Sequence, residues 1–189
     1  MTKNRLLNIA LGICKLTKLI YILSFIAFTC LFIHFQIDRN YYNETHIKVN
    51  SSDIEFKFSD KWGESANKSD ENVFALNNIT TTTIYAIYIK FSLVIIMIFL
   101  ITNEFQKIIQ SVKTLNTFKK NNVISFKKIG KYTLIYFLLT CYTVIDYHEG
   151  SKGQLQISFI PLILILISFI MAEIFKEGNI LMEEIDLTI

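Results

Sequence analysis

The sequence predicts an all-α membrane protein, with four transmembrane helices in an antiparallel bundle and a small extracytoplasmic β-hairpin between the first two. Three observations predict it. Hydrophobic residues make up 52% of the 189, and they are gathered into four long runs. Basic and acidic residues alternate in blocks between those runs. Residues 46–58 carry a period-two pattern that the rest of the chain lacks.

The runs come first. A spanning helix needs roughly 20 mostly apolar residues, because the hydrocarbon core is about 30 Å thick and each residue rises about 1.5 Å. Residues 19–37, 83–101, 129–147 and 155–175 fit that length. The third is more polar than the others. The fourth is the purest, with a core reading IPLILILISFIM. The first is longer than a signal-peptide core and no A-x-A site follows it, so it is expected to remain as a span.

Direction follows from the lysines. Short cytoplasmic loops keep an excess of Lys and Arg. Residues 1–18 carry Lys3, Arg5, Lys15 and Lys18 and no acid. Residues 102–131 carry seven lysines and one acid, Glu104. Both segments are expected in the cytoplasm. The outer loop 38–82, the short loop before span four and the inner basic loop 102–128 then alternate sides. The acidic tail 176–189 lies inside, so both termini are cytoplasmic and the whole chain is one four-pass domain.

Within the outer loop, Ile47 and Val49, then Ile54, Phe56 and Phe58, alternate with polar neighbours across Asn50-Ser51-Ser52-Asp53. That is turn chemistry between two short strands. It sets Lys48 opposite Glu55, a favourable cross-strand pair. A less ordered stretch is expected to begin at Lys61-Trp62-Gly63.

Helix seams in lipid favour small and hydroxyl residues. Thr17, Ile20, Ser24, Ala27, Leu31 and His34 form such a stripe on span one. Tyr85, Tyr88 and Ser92 do so on span two, Thr133, Tyr136, Thr140 and Thr143 on span three, and Pro161, Ile165, Ser168 and Ala172 on span four.

Lys90 is the one Lys or Arg in the interior of a span, Lys131 standing in the first turn of span three, and an intramembrane charge is a functional candidate. Asp146 and His34, at the outer ends of their spans, are its candidate partners in a polar cluster. A plainer reading has Lys90 snorkelling to the interface. It sits about 200° around the helix from Tyr88, facing lipid if the tyrosines face the bundle.

The inner loop begins with an amphipathic stretch. Phe105, Ile108, Ile109, Val112 and Leu115 share a face, with Lys107, Gln110 and Lys113 elsewhere. A basic amphipathic helix lying on anionic lipid is the expected role. Docking of a cytosolic protein is the sharper alternative, and no direct nucleic-acid contact is expected.

Cys14, Cys30 and Cys141 lie in or beside apolar runs, so no disulfide framework is expected. Metal-ligand spacing is absent, as are H-E-x-x-H, G-x-S-x-G, the phosphate loop and C-x-x-C. The sequence therefore predicts no metal, no cofactor and no enzyme.

Span four runs on into the tail. There Ala172, Glu173, Ile174, Phe175, Gly178, Leu181, Glu184, Asp186, Leu187, Thr188 and Ile189 resemble the C-terminal signature of a bacterial membrane family, domain of unknown function 2975. Phe118, Asn122-Val123 and Phe126-Lys127-Lys128-Ile129-Gly130 are similar to the family's inner loop. This chain is shorter there, with Lys119-Lys120-Asn121 in place of a longer stretch. The resemblance implies four spans and a bacterial inner membrane. Its association with small helix-turn-helix regulators implies a cytosolic partner of that kind. On that reading the candidate partner-binding residues are Glu173, Phe175, Gly178, Leu181, Glu184, Asp186 and Leu187. A non-enzymatic membrane regulator or sensor is the expected function, and a small transporter or immunity-type membrane protein is the alternative.

Overall fold

The computed structural model describes residues 3–42, 46–48, 61–62, 73–75, 79–114, 120–147 and 150–188. Four helices dominate: α1 (Lys3–Ile37), α2 (Thr81–Lys113), α3 (Lys120–Cys141) and α4 (Phe159–Thr188). A 3₁₀ turn, Asn40–Tyr42, follows α1. Short strands occupy the connections: β1 (His46–Lys48), β2 (Lys61–Trp62), β3 (Val73–Ala75), β4 (Tyr142–Tyr147) and β5 (Gly150–Leu155).

Three helices are long and apolar enough to cross a membrane: Arg5–Ile37, Thr81–Lys113 and Phe159–Glu184. They leave large apolar side chains uncovered, among them Ile22, Leu23 and Ile26 on α1 and Ile160, Ile163 and Leu166 on α4. A water-soluble monomer rarely exposes so much contiguous apolar surface. The pattern is consistent with a multi-pass membrane protein.

The helices outrun the apolar windows. A helix of 33 residues is about 50 Å long, against about 30 Å of hydrocarbon. The stretch from Phe105 to Val112, expected as a surface helix on lipid, is instead the last three turns of α2. Its apolar face is covered by protein: Phe105, Ile108 and Val112 pack with Val123, Phe126 and Ile129 of α3 and with Ala172 and Phe175 of α4.

The third expected span departs from helix at Cys141. Residues Tyr-Thr-Val-Ile-Asp-Tyr form β4, because β-branched and aromatic side chains fit a pleated strand better than a helix. β4 pairs antiparallel with β5 from Tyr142↔Leu155 to Tyr147↔Gly150. β2 extends the sheet on the far side of β5, with Lys61 aligned to Lys152 and Trp62 to Ser151. Lys61–Trp62 therefore joins a sheet; residues 63–72, over which the less ordered stretch is expected, lie outside the described residues. The pairing of His46–Lys48 is with Val73–Ala75, His46 opposite Ala75. The second arm of the expected hairpin, 53–58, lies outside the described residues.

The chain divides into two compact units. One holds Met1–Leu23, Ile95–Phe137 and Phe159–Ile189; the other holds Ser24–Val94 and Leu138–Ser158. Within the first, α3 returns antiparallel beside α2: Ser111 meets Asn122, and Glu104 meets Ser125. Within the second, β4 runs the same way: Lys90 meets Tyr142, and Thr83 meets Asp146.

The first unit has the clearest core. Ile129 is fully buried, as are Thr133 and Ala172 to within 1%. Phe126 and Phe175 pack as tilted rings with centroids 4.9 Å apart. Thr133, Ser168 and Ala172 were all read as seam residues, and all three are buried. Each hydroxyl is satisfied within its own helix, Thr133 on the Ile129 carbonyl and Ser168 on the Leu164 carbonyl. Gly130 admits the Phe169 ring: a Cβ there would stand 3.0 Å from Cζ of Phe169.

In the second unit α1 meets α2 through aromatics, not through the small-residue stripe. Phe32 stacks on Tyr88 at 4.2 Å and meets Tyr85 edge-on at 5.4 Å. Thr29 Oγ1 lies 3.2 Å from the Tyr88 hydroxyl. Ser24, Ala27 and Leu31 of the predicted stripe are exposed. Rings bury more surface per residue than small side chains and add a geometric preference for stacking, so the aromatic face wins. The α2 half of that seam, Tyr85 and Tyr88, is where the sequence placed it.

Gly130→Leu should destabilise the protein by about 1–3 kcal/mol, the usual cost of overpacking. Gly12→Leu is the control, since nothing lies within 4 Å of a Cβ at that position. Thermal unfolding in a mild detergent should lower the midpoint for the first variant only.

Candidate functional site

The polar residues of the first unit converge at the loop-facing ends of α2 and α3. Glu104 is only 5% exposed. Burying a carboxylate is costly unless its oxygens are hydrogen-bonded. Here Lys107 Nζ donates to Oε1 at 2.6 Å and Ser125 Oγ donates to Oε2 at 2.8 Å. Lys107 is one turn on along α2, so the ion pair costs little to assemble. Asn122, 2% exposed, donates from Nδ2 to Ser111 Oγ at 2.9 Å. These bonds tie α2 to α3 on either side of residues 115–119. Lys18 of α1 adds a further tie, donating to Asn103 Oδ1 at 3.2 Å with its ammonium 5.7 Å from the Phe99 ring centre.

Between these side chains is an open cleft of about 630 Å³. Its walls are polar except for Ile124, and Lys107 and Lys128 bring two positive charges against the single carboxylate of Glu104. Sequence reading noted Glu104 as the lone acid of the basic loop but assigned it no role. The signal was available: an isolated acid among seven lysines, two helical turns before Ser111, needs a partner once it is buried.

The expected polar cluster of the second unit resolves into three separate contacts. Lys90 Nζ donates to the Tyr142 carbonyl at 2.7 Å and to Thr143 Oγ1 at 2.5 Å. Asp146 is held by threonines: its amide donates to Thr83 Oγ1 at 3.1 Å, and Thr83 Oγ1 lies 3.4 Å from Oδ2. His34 Nδ1 lies 2.9 Å from the Tyr42 hydroxyl, with Tyr41 and Tyr42 edge-on to its ring. None of the three touches another. α2 meets α1 through Tyr88 and meets β4 through Lys90, so the Lys90 side of the helix has a protein contact.

The contact of Lys90 has a clear cause. The last carbonyls of a helix lack intrahelical donors. When α3 ends at Cys141, the Cys141 carbonyl accepts from the Gln156 amide at 2.7 Å. The next carbonyl, Tyr142, accepts from Lys90. A cation beside a helix C-terminus is also favoured by the helix dipole. Lys90 thus caps α3.

A family model described as protein of unknown function (DUF2975) matches residues 65–189. The chain belongs to the DUF2975 family. No curated protein and no solved structure matches it.

The DUF2975 match takes in both helices of the cleft and the whole of α4. The residues that carried the resemblance fall into two groups. Val123, Phe126, Ile129, Ala172 and Phe175 form the core of the first unit, so Phe175 packs inward and is not available to a partner. Glu173 and Leu181 point outward, Leu181 at 59% exposure, and Glu184 is exposed too. Glu173 pairs with Lys176 one turn on. Gly178 lies mid-helix, and α4 continues through it to Thr188. Asp186 and Leu187 belong to that last turn.

Lys90→Met should cost about 1–3 kcal/mol, because it removes the charged donor to the Tyr142 carbonyl and to Thr143 Oγ1. Unfolding in detergent would measure it, and a lysine that only reached for the interface would leave stability unchanged.

Proposed function

We propose that this DUF2975 protein is a non-enzymatic regulator or sensor of the cytoplasmic membrane that works with a cytosolic partner. One observation carries the reading: α2 and α4 continue as ordered helices well beyond the length that lipid requires. The continuation holds a built polar cluster at Glu104 and presents an acidic, partly apolar face on α4. Lipid alone gives a helix no reason to keep such a face.

The placement that goes with it has four crossings and both termini in the cytoplasm. Three helices qualify as spans by length and apolarity. We assign the third crossing to α3, 22 residues long, which runs antiparallel beside the α2 segment of the first unit. Lysine bias then sets the basic ends of α2 and α3 inside. The β4–β5 sheet and the strands of the first loop become the outer surface that senses.

The partner surface is the exposed face of α4 beyond the core, with Ile174, Leu181, Glu177 and Glu184. An acidic helix with apolar anchors suits a basic cytosolic protein, and the family resemblance points to a helix-turn-helix regulator. A transporter is less favoured, because His34, Lys90 and Asp146 each have separate partners and supply no continuous polar path.

A photo-crosslinker at Leu181 should trap one discrete cytosolic protein in cells. The same crosslinker at Leu166, on the lipid-length part of α4, should trap none. Deleting residues 176–189 should abolish the phenotype of the full-length gene while leaving the protein in the membrane. An unchanged phenotype would rule out the tail as the output.

A further inference from the structure

The polar cleft is larger than its internal hydrogen bonds require. We infer that it is a binding site for a phosphate-bearing anion, taken either from the headgroup of an anionic lipid or from a soluble phosphate compound. The inference depends on the first unit alone, and not on the proposed partner or on which side of the membrane the cleft faces.

Four observations support it. The cleft, at about 630 Å³, falls within the range of small-molecule sites. Its carboxylate does not oppose an anion strongly, because both oxygens of Glu104 are already covered, by Lys107 and by Ser125. Lys128, exposed on the wall, has no ion-pair partner among the described residues, and Lys107 keeps two further N–H donors after bonding Glu104. Gln110 and Asn121 bring side-chain amides to the same walls. Ammonium and amide N–H groups are donors to phosphate oxygens.

The depth also fits. Glu104 stands one turn beyond the apolar run of α2, where headgroups begin. Basic pockets between helix ends at that level are suited to anionic headgroups. Glu104 acts as a positioning residue: it holds Lys107 over the cleft and fixes Ser125.

The full-length protein in a zwitterionic detergent is titrated with phosphatidylglycerol or phosphatidylcholine, and bound lipid is counted by native mass spectrometry. A parallel arm replaces lipid with sodium phosphate against sodium chloride at equal ionic strength. Lys128→Gln should weaken binding about fivefold or more, whereas Lys128→Arg should bind like the natural protein. Lys113→Gln, an exposed charge on α2 outside the cleft, should change binding less than about twofold. Lys128-dependent binding of phosphatidylglycerol alone supports the site and assigns a headgroup. Lys128-dependent binding of inorganic phosphate supports the site and assigns a soluble source. Equal losses in Lys128→Gln and Lys113→Gln would overturn it, as would no binding of either probe. Unfolding midpoints of the three variants are measured first; a fall confined to Lys128→Gln is answered by Ile124→Glu, which sets an acid on the exposed wall of the cleft and should show the same loss.

Discussion

The last carbonyls of a helix have no donors within it and must find them elsewhere in the protein. That constraint governs the point where α3 ends. The Tyr-Thr-Val-Ile-Asp-Tyr segment favours a strand, so the helix stops at Cys141 and its last carbonyls are left without partners. Two donors answer. Gln156 bonds the Cys141 carbonyl and Lys90 bonds the Tyr142 carbonyl just beyond it. A lysine placed in the middle of an apolar helix is costly in isolation; here it replaces the donor that the missing helical turn would have supplied.

The other end of α2 obeys the same rule by different means. Glu104 is buried because α3 packs against α2 through Ile108, Val123, Phe126 and Ile129. A carboxylate in that position needs Lys107 and Ser125. Gly130 lets the Phe169 ring approach α3, and Phe126 then reaches Phe175. Apolar contact alone gives weak drive between helices in lipid, so close approach, ring packing and paired polar groups set the register.

The long apolar runs were legible from the sequence, since nothing but lipid calls for such lengths. So were the tail as a continuation of α4 and the buried faces of Thr133, Ser168 and Ala172. Three things were not. Small residues on α1 suggested a seam, but aromatic area at Phe32 outweighed them. Residues 142–147 are apolar enough to extend a span, and apolarity does not separate a strand from a helix. The face from Phe105 to Val112 has the pattern of a membrane-surface helix, and periodicity cannot say whether lipid or another helix covers it. In the candidate site, Lys90, Asp146 and His34 are the polar groups that the sequence singled out as one cluster. Their grouping failed because each found a nearer backbone or hydroxyl partner. Phe175 failed as a partner residue for the opposite reason, since the core claimed it.

The functional reading rests on a division of labour along α2 and α4: an apolar length in lipid and a polar length in the cytoplasm. Topology reporters tell these apart most directly. An alkaline phosphatase fusion and a green fluorescent protein fusion would be placed within residues 115–119 and, separately, after residue 189. The account predicts fluorescence without phosphatase activity at both positions. Phosphatase activity at either one, with fluorescence at the other, would contradict it.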